Sequence, residues 1–253
     1  MAVRLVAFDL DDTLAESKSA IEPDMGLALA RLLGVTQVGV ISGGTLSQFE
    51  AQVLSRLPGG ADLGRLHILP TCGTRYMRFA DGAWRDVYRQ YLTDEEKAAA
   101  IASLAKRAKE LGSWEPDEKL SGDRIEDRGS QITYSALGQK AAPNVKRAWD
   151  PTGAKRHALR DAVAADLPGL SVSAGGSTSI DITRRGVDKA YGMKALSKAT
   201  GIPLCDMVFV GDRLEPGGND YPVVQLGVKT VPVSGWRDTL AVIDDICGQM
   251  EAR

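Results

Sequence analysis

Apolar residues along this chain fall into short runs that alternate with stretches of helical spacing. The opening VRLVAF is a β-branched apolar run that stops at acidic residues, the mark of a strand buried on both faces. From about Pro23 to Leu33 apolar side chains recur at helical spacing and stop at Gly34. A second run, VGVIS, leads into Gly43 and Gly44. Helical spacing resumes from Leu46 to Leu57, and LHILP forms a third run. Parallel neighbours need a crossover between them, so this rhythm predicts a doubly wound sheet.

The rhythm changes after Gly73. Arg75 to Phe79, then Asp81-Gly82, then Trp84 to Tyr88 predicts a hairpin with a type I′ turn. An alanine-rich helix follows from about Asp94 to Leu111, with Thr93 as cap and Gly112 as stop. Strands are expected around Arg124–Glu126, Gln131–Ala136, Leu170–Ser173 and Thr178–Thr183, with a helix from about Lys155 to Leu167 between the pairs. Parallel rhythm then returns with a helix from Lys189 to Thr200, the strand MVFV, the strand VKTVPV and a helix from about Arg237 to Met250. The predicted fold is therefore α/β: a doubly wound, mostly parallel, Rossmann-like sheet from residues 1–89 and 187–253. An α+β cap domain, residues 90–186, is inserted between its halves.

Composition narrows the function. A formal net charge of −2 lacks the basic excess that phosphate neutralisation requires, which argues against nucleic acid as a partner. The longest apolar runs are strand-sized, so no membrane association is expected. The N-terminal MAVRLVAFDLDD lacks the order of a signal peptide. Cys72, Cys205 and Cys247 show neither metal-ligand spacing nor a disulfide framework. These features together predict a cytoplasmic protein with reduced thiols. The tryptophans are scattered, and His67 and His157 read as structural rather than catalytic.

Ligands of open parallel sheets sit beyond the carboxyl ends of the strands. Asp9-Leu10-Asp11-Asp12-Thr13, Ser42-Gly43-Gly44, and Gly211-Asp212 through Asn219-Asp220 all fall there, and Lys189 opens the helix that leads to Asp212. Clustered carboxylates resist joint ionisation unless a cation sits among them. Oxygen-only ligands suit magnesium. With Mg2+ and Lys189 drawing off charge, Asp9 is placed to attack a phosphate ester and form an acyl phosphate. Asp11, two residues on, would protonate the leaving oxygen and later activate water, as general acid and base. Ser42 and the Gly43 N–H would hold phosphate oxygens.

DLDDT, the SGG after VGVI, Lys189 and GDRLEPGGND resemble, in order, the four motifs of the haloacid dehalogenase superfamily, in its large-cap branch. Within that branch GDRLEPGGND, AGGSTSIDI and the hairpin around FADGAW resemble the eukaryotic-type phosphomannomutases, and the likeness spans nearly the whole chain. It implies that Asp9 is the nucleophile and Asp11 the acid/base. Magnesium would be held by Asp9, the Asp11 carbonyl and Asp212. Ser42 and Lys189 would bind the transferring phosphate, supported by Asn219 and Asp220. The resemblance further implies that Arg128 grips a distal phosphate, that Ser179 and Asp181 bind sugar hydroxyls, and that Lys18 contacts substrate. Two further cap arginines of the family are replaced here by Gln139 and Lys146. Lysine cannot reproduce arginine's two-pronged grip on phosphate.

The weaker cap cations favour a phosphatase of a small phosphorylated metabolite, a sugar phosphate foremost. The first alternative is a phosphohexomutase of the phosphomannomutase type. A non-catalytic phosphosugar-binding protein is a further alternative, disfavoured by the complete set of Asp9, Asp11, Lys189 and Asp212. A homodimer is compatible with each reading.

Overall fold

In a computed structural model, which describes residues 3–252, the chain divides into two compact units. Residues 90–186 form the second and the remainder the first. The first unit is built on a seven-stranded sheet. Its strands are β1 (Leu5–Phe8), β2 (Gln37–Ile41), β3 (Leu66–Leu69), β4 (Arg75–Ala80), β5 (Ala83–Arg89), β10 (Met207–Gly211) and β11 (Lys229–Pro232). They lie in the order β11-β10-β1-β2-β3-β4-β5. The first five of that order run parallel, and β4 and β5 are antiparallel. The sequence proceeds outward from β1 in both directions. The position beside β1 is therefore a switch point, where such sheets open a crevice beyond their strand ends.

Helices cover both faces: α1 (Pro23–Val35) and α8 (Trp236–Glu251) on one, α6 (Lys189–Thr200) on the other. Side chains of successive strand residues point to opposite faces. Accordingly Val6, Phe8, Val208 and Val210 pack with Met25, Leu29 and Ile243, while Leu5, Ala7, Met207 and Phe209 pack with Met193 and Leu196. This two-sided burial is why the strands read as continuous apolar runs rather than alternating ones. The predicted hairpin turn forms at Asp81 (φ 50°) and Gly82 (φ 73°), both left-handed as a type I′ turn requires.

Two helix ends differ from the sequence reading. The first helix runs through Gly34 to Val35, because the Arg65 guanidinium donates to the carbonyls of Leu33 (3.4 Å) and Gly34 (2.9 Å) in place of a glycine cap. The second, α2 (Leu46–Gln52), stops short of Leu57. The Ile21 N–H takes the Gln52 carbonyl at 2.9 Å, so Arg56 bonds to Val53 instead and the chain tightens into a 3₁₀ turn.

The second unit is a four-stranded antiparallel sheet in the order β6-β7-β9-β8, comprising β6 (Ile125–Asp127), β7 (Gln131–Ser135), β8 (Leu170–Ala174) and β9 (Ser179–Arg184). Its apolar face (Ile132, Tyr134, Ile180, Ile182) packs on α3 (Asp94–Glu110) and α5 (Ala154–Asp166). A short helix, α4 (Pro143–Trp149), precedes α5. Helix α3 starts at a capping box in which Thr93 Oγ1 accepts from the Glu96 N–H and Glu96 accepts from the Thr93 N–H. No described helix is long and apolar enough to cross a membrane.

His67 on β3 is fully buried. Its Nε2 meets Gln37 Oε1 at 2.8 Å, so it donates there, and Nδ1 accepts from the Tyr76 hydroxyl at 2.6 Å. Burial, helped by the charge of Arg78, pushes its pKa down to about 4. An unfolded chain protonates this ring near pH 6.5, and the folded one resists until about pH 4. Its contribution to stability is thus complete above pH 6.5 and is lost as pH falls towards 4, by about 2–3 kcal/mol at the lower end. Urea denaturation at pH 7.5 and pH 4.5 should therefore show a smaller pH loss for His67→Gln than for the parent. Equal losses would contradict the assignment.

Candidate active site

Four sequence segments converge at the carboxyl ends of the parallel strands. Asp9 follows β1, and its N–H donates to the Val210 carbonyl at 3.0 Å, which anchors it beside the end of β10. Asp212 follows β10, and Asp220 closes the loop that begins there. Asp220 Oδ2 accepts from the Arg213 N–H and its own N–H donates to the Arg213 carbonyl, each at 3.1 Å. Gly211 is required at the root of that loop, since a Cβ there would lie 2.4 Å from Asp220 Oδ2. Lys189 is the first residue of α6, behind an Asp188 cap that accepts from the Tyr191 N–H.

The ammonium of Lys189 lies 2.7 Å from Asp9 Oδ1 and 2.5 Å from Asp220 Oδ1, with all three side chains at most 5% exposed. Carboxylate oxygens of Asp9, Asp212 and Asp220 all fall within 4.8 Å of one another. Three carboxylates thus gather at one ammonium that pairs with two of them, a surplus of two negative charges were all three ionised, with Asp9 and Asp220 buried and Asp212 half-buried. The consequences appear in the ionisation of each group. Burial raises the Asp9 pKa to about 7; Lys189 pulls it back and Asp220 pushes it further up. Burial and then the charge of Asp220 also raise Asp212. Burial alone would discharge Lys189, but Asp9 and Asp220 outweigh it and hold the ammonium protonated.

Asp212 Oδ1 is buried without a hydrogen-bond partner among the described residues, an arrangement that costs energy unless a cation occupies the space beside it. All-oxygen donors, a charge surplus of two and an orphaned carboxylate oxygen together fit a hard divalent cation such as magnesium. Asp220, expected in a supporting role, is a full member of this cluster through its contact with Lys189.

Ser42 is buried after β2, and its hydroxyl accepts from the Gly44 N–H at 3.1 Å, which curls the Ser42–Gly44 loop on itself. Asp11 is half-buried and its carboxylate accepts from the Lys18 N–H at 2.6 Å, so it stands apart from the Asp9–Asp212–Asp220 cluster. Lys18 and Asn219 are exposed.

In the second unit Ser179 and Asp181 share the face of β9 opposite the helices. Asp181 Oδ1 accepts from Gln131 Nε2 at 2.8 Å and from Thr133 Oγ1 at 2.7 Å. Gln131 and Thr133 were not singled out from the sequence; the register Thr133↔Asp181 brings them together. Arg128 donates through Nε and Nη2 to Glu126 Oε2, at 3.0 and 2.7 Å. Lys146 is buried and donates to the Gln139 carbonyl at 3.0 Å. Arg124 lies over the Trp114 ring at 4.0 Å and donates to Asp117.

Residues 115–248 match the sequence profile of the family described as eukaryotic phosphomannomutase. The chain is 24% identical over 248 residues to phosphomannomutase 2 of Dictyostelium discoideum, covering 94% of each chain. Among solved structures, a haloacid dehalogenase-like hydrolase from Bacteroides thetaiotaomicron superposes with a TM-score of 0.65 at 15% identity, covering 96% of this chain and 99% of the other. The IMP-bound, N-terminally truncated IMP-nucleotidase of Plasmodium falciparum gives 0.69 at 14% identity, covering 98% and 68%.

If the charge surplus calls for a divalent cation, saturating magnesium should stabilise the folded protein by about 2–3 kcal/mol and raise its melting temperature by several degrees. Asp212→Asn should lose most of that shift. Scanning calorimetry with magnesium and with EDTA measures it, and an equal shift in the variant would count against this ion site.

Proposed function

Because the chain belongs to the eukaryotic phosphomannomutase family, we propose that it transfers a phosphoryl group between hydroxyls of a hexose phosphate through an aspartyl-phosphate. The observation that carries the reading is the buried Asp9 carboxylate paired with Lys189 inside a cluster that calls for a divalent cation. The ion would be held by Asp9, the Asp11 carbonyl and Asp212, and would screen the phosphate's charge from the carboxylates.

Asp9 attacks phosphorus, the P–O bond to the sugar breaks, and the new bond joins the phosphoryl group to the carboxylate. Asp11 supplies the proton that the departing sugar oxygen takes up, and the same carboxylate then removes the proton of the hydroxyl that attacks the aspartyl-phosphate. Its hydrogen bond from the Lys18 N–H fixes where that carboxylate starts. Ser42, the Gly43 N–H and Lys189 hold the phosphate oxygens, with Asn219 and Asp220 supporting them, so that fixed donors meet the charge spread over the transferring group. Arg128, Ser179 and Asp181 of the second unit select the substrate, with Lys18 as a further contact. In that role Arg128 has to exchange its pairing with Glu126 for a phosphate. Three free cysteines among the described residues support a cytoplasmic setting.

The second reading, hydrolysis of a sugar phosphate, is favoured by Gln139 and Lys146. A mutase must hold a sugar bisphosphate in both orientations, whereas Gln139 carries no charge and Lys146 is already bonded to the Gln139 carbonyl. The family match weighs against this, and the mutase reading is preferred over the phosphatase expected from the cap cations.

One assay separates the two. Mannose 1-phosphate, offered with magnesium and a hexose bisphosphate, should yield the 6-phosphate with little free phosphate. Release of stoichiometric phosphate would establish the hydrolase. Asp9→Asn should abolish either outcome.

A further inference from the structure

The connection between β3 and β4 carries the most unusual backbone of the first unit. Thr71, Cys72 and Gly73 have φ angles of 50°, 57° and 86°, three consecutive residues in the left-handed region. Glycine adopts that region freely. A β-branched threonine very rarely does, and the conformation persists only where surrounding bonds over-determine it. Here they do. The Thr71 and Thr74 hydroxyls bond to each other, Thr74 Oγ1 donates to the Thr71 carbonyl at 3.0 Å, and the Tyr88 hydroxyl donates to the Gly73 carbonyl at 2.7 Å.

The strained turn aims its amides at the loop that follows β2. The Cys72 N–H donates to the Ser42 carbonyl at 2.9 Å, and the Thr71 N–H donates to the Gly44 carbonyl at 3.0 Å. A trans peptide is planar, with its C=O and N–H on opposite sides. Pulling the Ser42 carbonyl towards the turn therefore points the Gly43 N–H the other way. The same turn touches the helix that begins with Lys189. A Cβ on Gly73 would lie 2.7 Å from Gly192 Cα, and a Cβ on Gly192 would meet Ile41 side-chain carbons at 3.2 Å. Gly73 thus lets the turn approach the backbone of α6, and Gly192 leaves room for the Ile41 side chain of β2.

We infer that the Thr71–Gly73 turn is a positioning element that sets the orientation of the Ser42–Gly43 phosphate donors and their distance from Lys189. It acts through backbone amides and close packing. This inference rests on the proposed role of those three residues as phosphate donors.

The test uses Cys72→Gly, Cys72→Asn and Cys72→Val in the full chain. Orthophosphate affinity is read by calorimetry in the presence of magnesium, beside kcat and KM. Glycine and asparagine accept a positive φ, so both should keep orthophosphate affinity and kcat close to the parent. Valine resists it, and should weaken both by about tenfold or more, as displaced donors do. Its magnesium-induced stabilisation should be unchanged, because the hydrogen bonds described for the turn run to the Ser42 and Gly44 carbonyls and not to Asp9 or Asp212. A valine variant that binds orthophosphate like the parent would overturn the inference, and so would a folded glycine variant that loses binding, since the thiol would then be the acting group. Should valine prevent folding, Gly73→Ala takes its place, since its methyl would meet Gly192 Cα at 2.7 Å; the same loss of orthophosphate affinity is expected and unchanged affinity is decisive against the turn. A parent protein that binds orthophosphate but transfers no phosphoryl group would refute the proposed function while leaving the positioning role intact.

Discussion

One ammonium buried among three carboxylates governs the first unit. Lys189 enters at the N-terminus of a helix, where the backbone dipole disfavours a cation. It is held there by contacts of 2.7 Å to Asp9 and 2.5 Å to Asp220. Removing the ammonium would leave the carboxylates close together with no opposing charge, a costly state in a medium that solvates ions poorly. The fold serves this arrangement directly. Parallel pairing of β1 with β10 sets Asp9 beside Asp212, and Gly211 leaves room for the Asp220 carboxylate. The surplus of negative charge that remains suits a divalent cation.

The second unit presents its polar groups in another way. Its charges are largely paired with one another: Arg128 with Glu126, Arg124 with Asp117, Arg184 with Glu96 and Arg107 with Asp166. The face of its sheet opposite the helices carries neutral donors around one carboxylate, with Gln131 and Thr133 orienting Asp181. Such a surface suits discrimination among hydroxyl patterns better than raw anion capture. That contrast accompanies the replacement of two expected arginines by Gln139 and Lys146.

Much of this was legible in the chain itself. Strands buried on both faces announce themselves as short β-branched runs, and Asp81-Gly82 demands its turn type. Lys189–Thr200 reads as a helix from its apolar spacing, and the structure places it at those residues, between an Asp188 cap and Gly201. What the sequence left open depended on partners far along the chain. Helix α1 passes Gly34 because Arg65 caps it, and α2 breaks early because Ile21 takes a carbonyl from it. Within the site, Asp9, Ser42 and Asp212 were visible as polar residues ending apolar runs. Gln131 and Thr133 were not, because alternating polar residues on a strand look alike until the register pairs one with Asp181. Nor was the Thr71–Gly73 turn, since nothing in Thr-Cys-Gly signals a left-handed backbone at its first two positions.

The carboxylates of Asp9 and Asp212 call for a divalent ion between them. Crystals grown with manganese as a magnesium substitute and measured at its absorption edge test it most directly. One strong anomalous peak should then lie at about 2.1 Å from an oxygen of each residue, the range for a hard octahedral cation. A peak elsewhere, or none in a preparation that still transfers phosphate, would contradict it.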